Sequence, residues 1–342
     1  MALDASKTVF VTGGSGYIGR NLLRALSGAG IAVRALARST TSARVVTDLG
    51  AEPVVGDLAD ADALERGMSG ATYLIHAAAD TDHGVPTAAQ ERANREGARK
   101  VYAAARRAGV RRALHLSSEA VLLSGQPLLD ADETTPMPAR AAGGYSKTKG
   151  EAERIALEHS GGGMDVVVLR PRFVWGRDDT TALPQLIEAA RTGKLAWIGG
   201  GRYRMSTTHI ANVVRGAMLA LESGRAGEVY FISDGEPVEF RAFLTELLAT
   251  QGVEAPAREV PRWLVQAAVR AGDSLARMTG GILHGPMSWQ EYAVLGVEVT
   301  LNIDKARREL GYAPVISREE GLAELAATHR RRCAEAASAT AR

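Results

Sequence analysis

The chain has 342 residues, 46% of them hydrophobic, enough for one large α/β unit or for a domain carrying a lobe. Its 41 Lys and Arg against 39 Asp and Glu leave a formal charge of +2, so nothing in the balance calls for nucleic acid or an anionic membrane as partner. A single cysteine, Cys333, rules out an internal disulfide framework and a cysteine-ligated metal site, and no metal is expected.

An apolar β-type run begins near residue 7, which leaves no room for a signal peptide, and no apolar stretch approaches the roughly 20 residues needed to span a bilayer. A soluble, cytoplasmic protein is expected. That run opens residues 8–19, TVFVTGGSGYIG, in which glycines fall at Gly13, Gly14, Gly16 and Gly19 before a helical pattern starts. Strand, glycine turn and helix in this order suit a dinucleotide pyrophosphate. Gly13 takes the tight turn, Gly16 admits a phosphate close to the backbone, and Gly19 lets the helix pack on the strand. The anion then rests on free N–H groups at the helix N-terminus, with Ser15, Tyr17 and Ile18 around it. A glycine-rich surface turn is the bland alternative.

Tyr17 to Leu26 reads as a helix with Ile18, Leu22, Leu23 and Leu26 on one face, followed by a strand at 31–37. The alternation repeats with a helix at 41–49, a strand at Pro53 to Val55, a helix at 60–68 and a strand at Thr72 to Ala77. Such a pattern predicts a doubly wound, mostly parallel α/β sheet of the Rossmann kind, with ligands at the carboxyl ends of its strands. The second strand ends in Ala37, Arg38, Ser39 and Thr40. No acid is present there to hold a ribose diol, whereas a guanidinium with two hydroxyls suits a 2′-phosphate, so NADP(H) is expected and NAD(H) stays open. Asp57 and Leu58 follow Gly56 where a carboxylate meets an adenine amino group and an apolar side chain its ring; Asp57 as a helix N-cap is the rival. Ala77, Ala78 and Ala79 are small where phosphates and ribose pass, and His76 reads as a packed strand residue.

A helix over 88–108 carries Asn94, and the strand RALHLSS brings Ser117 and Ser118 to the carboxyl edge of the sheet with Glu119 directly after. Residues 124–143 read as a long loop, and YSKTKGEAERIALEHS as a helix. Tyr145 and Lys149, four apart, share one face of it. A nearby ammonium and a cationic nicotinamide both favour phenolate, so Tyr145 can exchange a proton with an oxygen whose carbon exchanges hydride. Ser118 would hydrogen-bond that oxygen, and Lys149 would tune Tyr145 and bind the nicotinamide ribose.

TGGSGYIG, GDL at Gly56 to Leu58, Asn94, the serine pair and YSKTK together resemble the extended short-chain dehydrogenase/reductases of the NAD-dependent epimerase/dehydratase superfamily. VVVLRPRFVWG at Val166 to Gly176 is similar to the family's sixth strand with its Arg-Pro, which implies that Pro171 and Val174 border the cofactor. THIANVV at Thr208 to Val214 resembles the return to the cofactor domain, and LNIDKARRELGYAP at Leu301 to Pro314 the closing segment. Arg38 and Asn212 point to the 3β-hydroxysteroid dehydrogenase and dihydroflavonol reductase branch. That branch implies a ketone or secondary alcohol on an apolar steroid-, flavonoid- or lipid-like skeleton. Sugar-nucleotide epimerases and dehydratases share the triad, but usually have Tyr-Gly where this chain has Leu122, Leu123, Ser124 and Gly125; Glu119, an acid beside the catalytic hydroxyl, keeps a dehydratase open. A non-catalytic NADP(H) sensor would commonly lack the Tyr or the Lys.

These boundaries give an NADP-binding domain at 1–171 and 206–235, a substrate lobe at 172–205 and 236–330, and a frayed tail at 331–342. Trp175, Met205, Trp289 and Tyr292, with Leu128 and Leu129, are candidates for an apolar substrate pocket. Gly199 to Gly201, followed by Arg202 and Arg204, read as a hairpin turn before an anion cradle. Residues 262–278 form an amphipathic helix fit for the lobe, a partner subunit or a membrane surface, and a homodimer is left open.

Overall fold

The computed structural model describes residues 4, 6–84, 86–279, 283 and 285–340. Residues 1–3 and 5 of the expected cofactor domain and 341–342 of the expected tail lie outside the described residues. The first half alternates as its apolar pattern requires: β1 (Thr8–Thr12), α1 (Tyr17–Gly28), β2 (Ala32–Ala37), α2 (Thr40–Asp48), β3 (Glu52–Val55), α3 (Ala61–Met68) and β4 (Tyr73–His76). Next come α4 (Ala88–Glu91), a π-helical turn at Arg92–Glu96, α5 (Gly97–Arg107), β5 (Arg112–Leu116), β6 (Leu128–Ala131), α6 (Gly144–Glu158) and β7 (Asp165–Pro171). The second half holds β8 (Val174–Trp175), α7 (Ala182–Arg191), β9 (Trp197–Ile198), β10 (Arg204–Met205), β11 (Thr208–His209), α8 (Ile210–Ser223) and β12 (Val229–Ile232). It closes with β13 (Val238–Glu239), α9 (Phe240–Ala249), β14 (Glu259–Val260), α10 (Arg262–Met278), α11 (Trp289–Leu295), β15 (Val299–Leu301), α12 (Asp304–Leu310) and α13 (Arg318–Thr340).

Seven strands form one sheet in the order β12-β7-β5-β4-β1-β2-β3, each neighbouring pair parallel. A parallel sheet is covered on both faces, and its strands are accordingly apolar on both: Val9, Phe10 and Val11 are all wholly buried. From β1 the chain winds outward to β2 and β3, then returns to β4 on the other side. The crevice between the carboxyl ends of β1 and β4 is therefore the point where strand order reverses and where such sheets take a ligand.

A second, four-stranded sheet in the order β13-β10-β15-β6 stands beside the first. Its strand β6 lies inside the stretch expected as a loop. Leu128 pairs with Val299 of β15, a partner so distant in sequence that no local period announces it. Two other expectations also change. The helix expected over 88–108 is broken by the π-turn, and the tail expected to fray from 331 is helical to Thr340, in keeping with its Ala, Glu and Arg content. Leu301, Ile303, Ala306, Leu310 and Tyr312 pack in the core under β12 and α8 rather than in the core of Trp197, Phe240 and Phe243.

Candidate active site

The turn after β1 brings Gly13 into a left-handed conformation, φ 75°, under the strand-end alanines. A Cβ there would stand 2.6 Å from the Ala78 nitrogen, and one on Gly19 only 2.0 Å from the Gly13 carbonyl oxygen, so both positions admit hydrogen alone. Gly16 is the N-cap of α1 and supplies no side-chain cap, and the first turn of that helix carries no acid. Uncapped N–H groups beside the sheet's switch point are what a dinucleotide pyrophosphate needs, so the residues present fit such a group. Ser15 and Ile18 are half-buried around this turn, Gly14 and Tyr17 buried beneath it, and Ala77 to Ala79 half-buried across the crevice.

Arg38 is exposed at the end of β2 and, among the described residues, has no hydrogen-bond or ion-pair partner. Ser39 beside it is the N-cap of α2: its Oγ accepts from the Ser42 N–H at 3.1 Å, in a capping box with the Ser42 hydroxyl. The expected pair of phosphate hydroxyls is thus reduced to Thr40 and an Oγ already holding a helix end. Asp57 is exposed, and its Oδ1 accepts from the N–H groups of Ala59 and Asp60. The cap of α3 is instead Asp60, so one Asp57 oxygen, Oδ2, has no described bond. Leu58 rests on Gly97 at the start of α5. Asn94 is buried and engaged within the protein: it accepts from the Asp80 N–H at 2.7 Å and donates to the Asp80 carbonyl and to Thr148. It clips the loop after β4 onto α6. Pro171 is buried and Val174 half-buried at the ends of β7 and β8.

Ser118, Tyr145 and Lys149 meet at the carboxyl end of β5. Tyr145 and Lys149 are buried, one turn apart on α6, and the Ser118 hydroxyl lies within hydrogen-bonding reach of the phenol. Lys149 donates its Nζ proton to the Leu116 carbonyl at 2.6 Å. Burial draws its ammonium down to about 8, against the pull of Glu153 one turn further on. The phenol moves the opposite way from the expectation of a favoured phenolate. Burial first, and the Glu119 carboxylate second, push Tyr145 above its ordinary value near 10, and the Ser118 hydrogen bond only opposes them. In the protein alone Tyr145 is a protonated acid.

Two buried arginines, Arg170 and Arg172, stand two residues apart at the end of β7, and each clamps a glutamate that holds one serine of the pair. Arg170 donates from Nε to Glu153 Oε2 at 2.9 Å, and Ser117 donates to the same oxygen at 2.6 Å. Arg172 donates from Nη1 to Glu119 Oε1 at 2.6 Å, and Ser118 to Glu119 Oε2 at 2.7 Å. His83, from the loop after β4, sits with its ring centroid 4.8 Å from that of Tyr145. His83, Arg172 and Glu153 were not singled out from the sequence. Only Glu153 left a local sign, at i+4 from Lys149 on the helix face.

Residues 9–233 match the NAD dependent epimerase/dehydratase family. The chain belongs to that family. Among its members the 4-hydroxy-2-methyl-3-oxo-4-farnesyl-3,4-dihydroquinoline-1-oxide ketoreductase of Stigmatella aurantiaca is 51% identical, over 92% of this chain and 94% of the relative. The 3-beta-hydroxysteroid dehydrogenase of Mycolicibacterium neoaurum is 31% identical, over 92% of this chain and 89% of its own. In three dimensions the crystal structure of gox2253 superposes with a TM-score of 0.78 at 30% identity, covering 95% of this chain and 98% of the other. The protein is an oxidoreductase enzyme of the extended short-chain dehydrogenase/reductase type.

Within this family frame the expected pocket residues separate. Trp175 is wholly buried, donates its Nε1 proton to Asp234 at 2.8 Å and packs edge-on to His209 and Phe243; Met205 is wholly buried in the same core. Both pack in the core with Trp197, Phe240 and Phe243, because a β-strand beside a core aims such side chains inward as readily as toward a cleft. Leu129 points to solvent at 64% exposure. Trp289 is half-buried over Gly125 and packs in one cluster with Tyr292 and Tyr145. Gly199 to Gly201 form a tight turn of three positive φ values facing Arg241, Arg262 and Glu259. A carboxylate there opposes the alternative of an anion cradle. No helix of the described residues is long and apolar enough to cross a membrane, and none of them form a metal-binding cluster of His, Cys, Asp or Glu.

Proposed function

We propose that the protein is an NADP(H)-using ketoreductase of apolar, ring-bearing substrates, with Tyr145 as general acid. The observation that carries this is the convergence of a protonated, buried Tyr145 with Ser118 and an anchored Lys149 at the carboxyl end of β5. When bound, the dinucleotide supplies the hydride. Gly13 to Gly19 would hold its pyrophosphate, Asp57 and Leu58 its adenine, Ala77 to Ala79 its inner ribose and phosphates, and Lys149 its nicotinamide ribose; Pro171 and Val174 would border the ring. Arg38, free at the end of β2, supports the preference for a 2′-phosphate.

Tyr145 gives its phenolic proton to the carbonyl oxygen as the carbon becomes an alcohol. The Lys149 ammonium beside it then favours the phenolate left behind. The substrate class rests on the Stigmatella relative, whose name sets a 3-oxo group beside a 4-hydroxyl on a ring carrying a farnesyl chain. It rests also on Trp289, Tyr292 and Leu123 around Tyr145. With Glu119 tied to both Arg172 and Ser118, the carboxylate a dehydratase would use is already engaged.

Mixing the protein with NADPH and an alkyl- or prenyl-bearing cyclic ketone should consume one cofactor per alcohol formed. Tyr145→Phe should lose at least ~10³-fold in kcat while still binding NADPH, as removal of a proton donor from the reacting oxygen does. Retained turnover in that variant would remove the tyrosine mechanism.

A further inference from the structure

We propose that the outer face of α10 pairs, antiparallel, with the same helix of a second copy of this chain. The inference goes beyond the reaction and stands whether or not the ketoreductase reading does.

On α10, Trp263 is 69% exposed, Leu264 46%, Leu275 42% and Met278 85%, half of the large apolar side chains that the described residues leave in solvent. The inner face of the helix is already committed. Val269 is buried, it packs with Val265 in the cluster that holds Tyr145, and Gln266 Nε2 donates to the Tyr292 hydroxyl at 2.7 Å. A helix that is apolar on two opposite faces requires cover on both, and a contiguous apolar patch left in water marks an interaction surface.

The outer face is patterned for another helix. Leu264, Ala268, Ala271, Leu275 and Met278 follow one another at intervals of four, three, four and three residues, the spacing of a coiled-coil seam, and all five are exposed. The central alanines let two backbones approach to about 8 Å, and the leucines on either side fill the gap as the helices diverge. The seam is also symmetric. Leu264 and Leu275 are equidistant from the midpoint between Val269 and Arg270, and so are Ala268 and Ala271. A two-fold axis at that midpoint sets Leu264 of one copy beside Leu275 of the other and Ala268 beside Ala271, each twice, which is the self-complementarity of an isologous contact. Met278 then falls at the end that carries the other copy's Trp263, a ring on which a thioether packs well.

Two further observations favour a second copy. The exposed side chains of this face amount to on the order of 600 Å² per chain, so a pair buries about 1,200 Å², the lower end of what a specific dimer needs. A helix lying on a bilayer turns its basic side chains to the lipid headgroups. Here Arg262 is drawn over the Tyr203 ring at 5.1 Å and Arg270 over that of Trp289 at 5.3 Å, both on the protein's own surface.

Sedimentation equilibrium of the full chain at micromolar concentration tests this. The wild type should be a dimer. Ala271→Glu brings a carboxylate from each copy into the dry centre of the seam and should weaken association at least ~100-fold, with the circular dichroism of the wild type retained. Val55→Glu, at an exposed apolar position on β3, should stay dimeric. Chains carrying Leu264→Cys, mixed with chains carrying Leu275→Cys, both with Cys333→Ser, should be joined by a short thiol cross-linker, and neither should be joined to itself. Should Ala271→Glu fail to fold, the cross-linking decides alone. A wild type that is monomeric up to ~100 μM overturns the proposal; co-sedimentation of that monomer with anionic phospholipid vesicles would assign the face to a bilayer. A dimer left intact by Ala271→Glu, or a cross-link between two chains of the same cysteine variant, overturns it equally, by placing the contact elsewhere or in parallel.

Discussion

At the scale of single residues, the site depends on positions where one atom more or one charge less changes the outcome. Gly19 is the sharpest: the Cβ of Gly19→Ala would meet the Gly13 carbonyl at 2.0 Å, a backbone clash that no rotamer relieves. That variant should lose about 1–3 kcal/mol or more of stability and at least ~10-fold in NADPH affinity, measured by thermal melt and fluorescence titration. Wild-type values would show that the turn does not hold the pyrophosphate. Arg38 is a matter of charge. Arg38→Ala should weaken NADPH binding by ~10-fold and leave NADH unchanged, because only the former carries the phosphate that a guanidinium would contact. Equal losses for both cofactors would place Arg38 elsewhere than on the 2′-phosphate. The Ser, Tyr and Lys that meet here were legible from their order and spacing. The upward push on Tyr145 was not, since it comes from burial and from a carboxylate that only folding brings close.

At the scale of elements, the end of β7 does more than its apolar sequence announces. Arg170 and Arg172 lie at positions two apart, so both project to one side of the strand, where they reach α6 and the turn after β5. They are buried, and each is neutralised by a glutamate. Removing one partner of such a pair leaves an uncompensated charge and typically costs about 3–5 kcal/mol. Glu153→Gln should therefore lower the melting temperature markedly, whereas Glu228→Gln, whose partner Lys305 is partly exposed, should cost less than ~1 kcal/mol. Similar losses in the two variants would contradict a buried, committed Arg170–Glu153 pair. The helices and strands of the first half were read from local period, but β6 was not: its four residues gain strand form from β15, paired across the chain.

At the scale of the whole molecule, the centre of the sheet carries two histidines side by side, His76 on β4 and His115 on β5, with ring centroids 5.4 Å apart. His76 Nδ1 pairs with Thr12 Oγ1 at 2.7 Å and His115 Nδ1 with the Tyr102 hydroxyl at 3.0 Å. Burial, with the Lys149 charge, lowers His76 to about 3 and drives His115 well below its ordinary value. Both are neutral in the folded protein, while an unfolded histidine takes a proton near pH 6.5. Below that pH the unfolded chain binds more protons, so stability is full above about 6.5 and falls as the pH drops toward 3. The melting temperature should decline between pH 7 and 5, and His76→Gln should flatten that decline; an unchanged slope would exclude His76 as a source.

The sequence by itself determined the parallel sheet and the glycine turn at its switch point, and it singled out Ser118, Tyr145 and Lys149, because these follow from local period and fixed spacing. Only the tertiary structure decided that Trp175 and Met205 are core, that Asn94 is a clip, and that Glu119 is shared between Ser118 and Arg172. Those outcomes depend on which distant groups meet in a dry interior, where each proton and lone pair must find a partner and no sequence interval records the match.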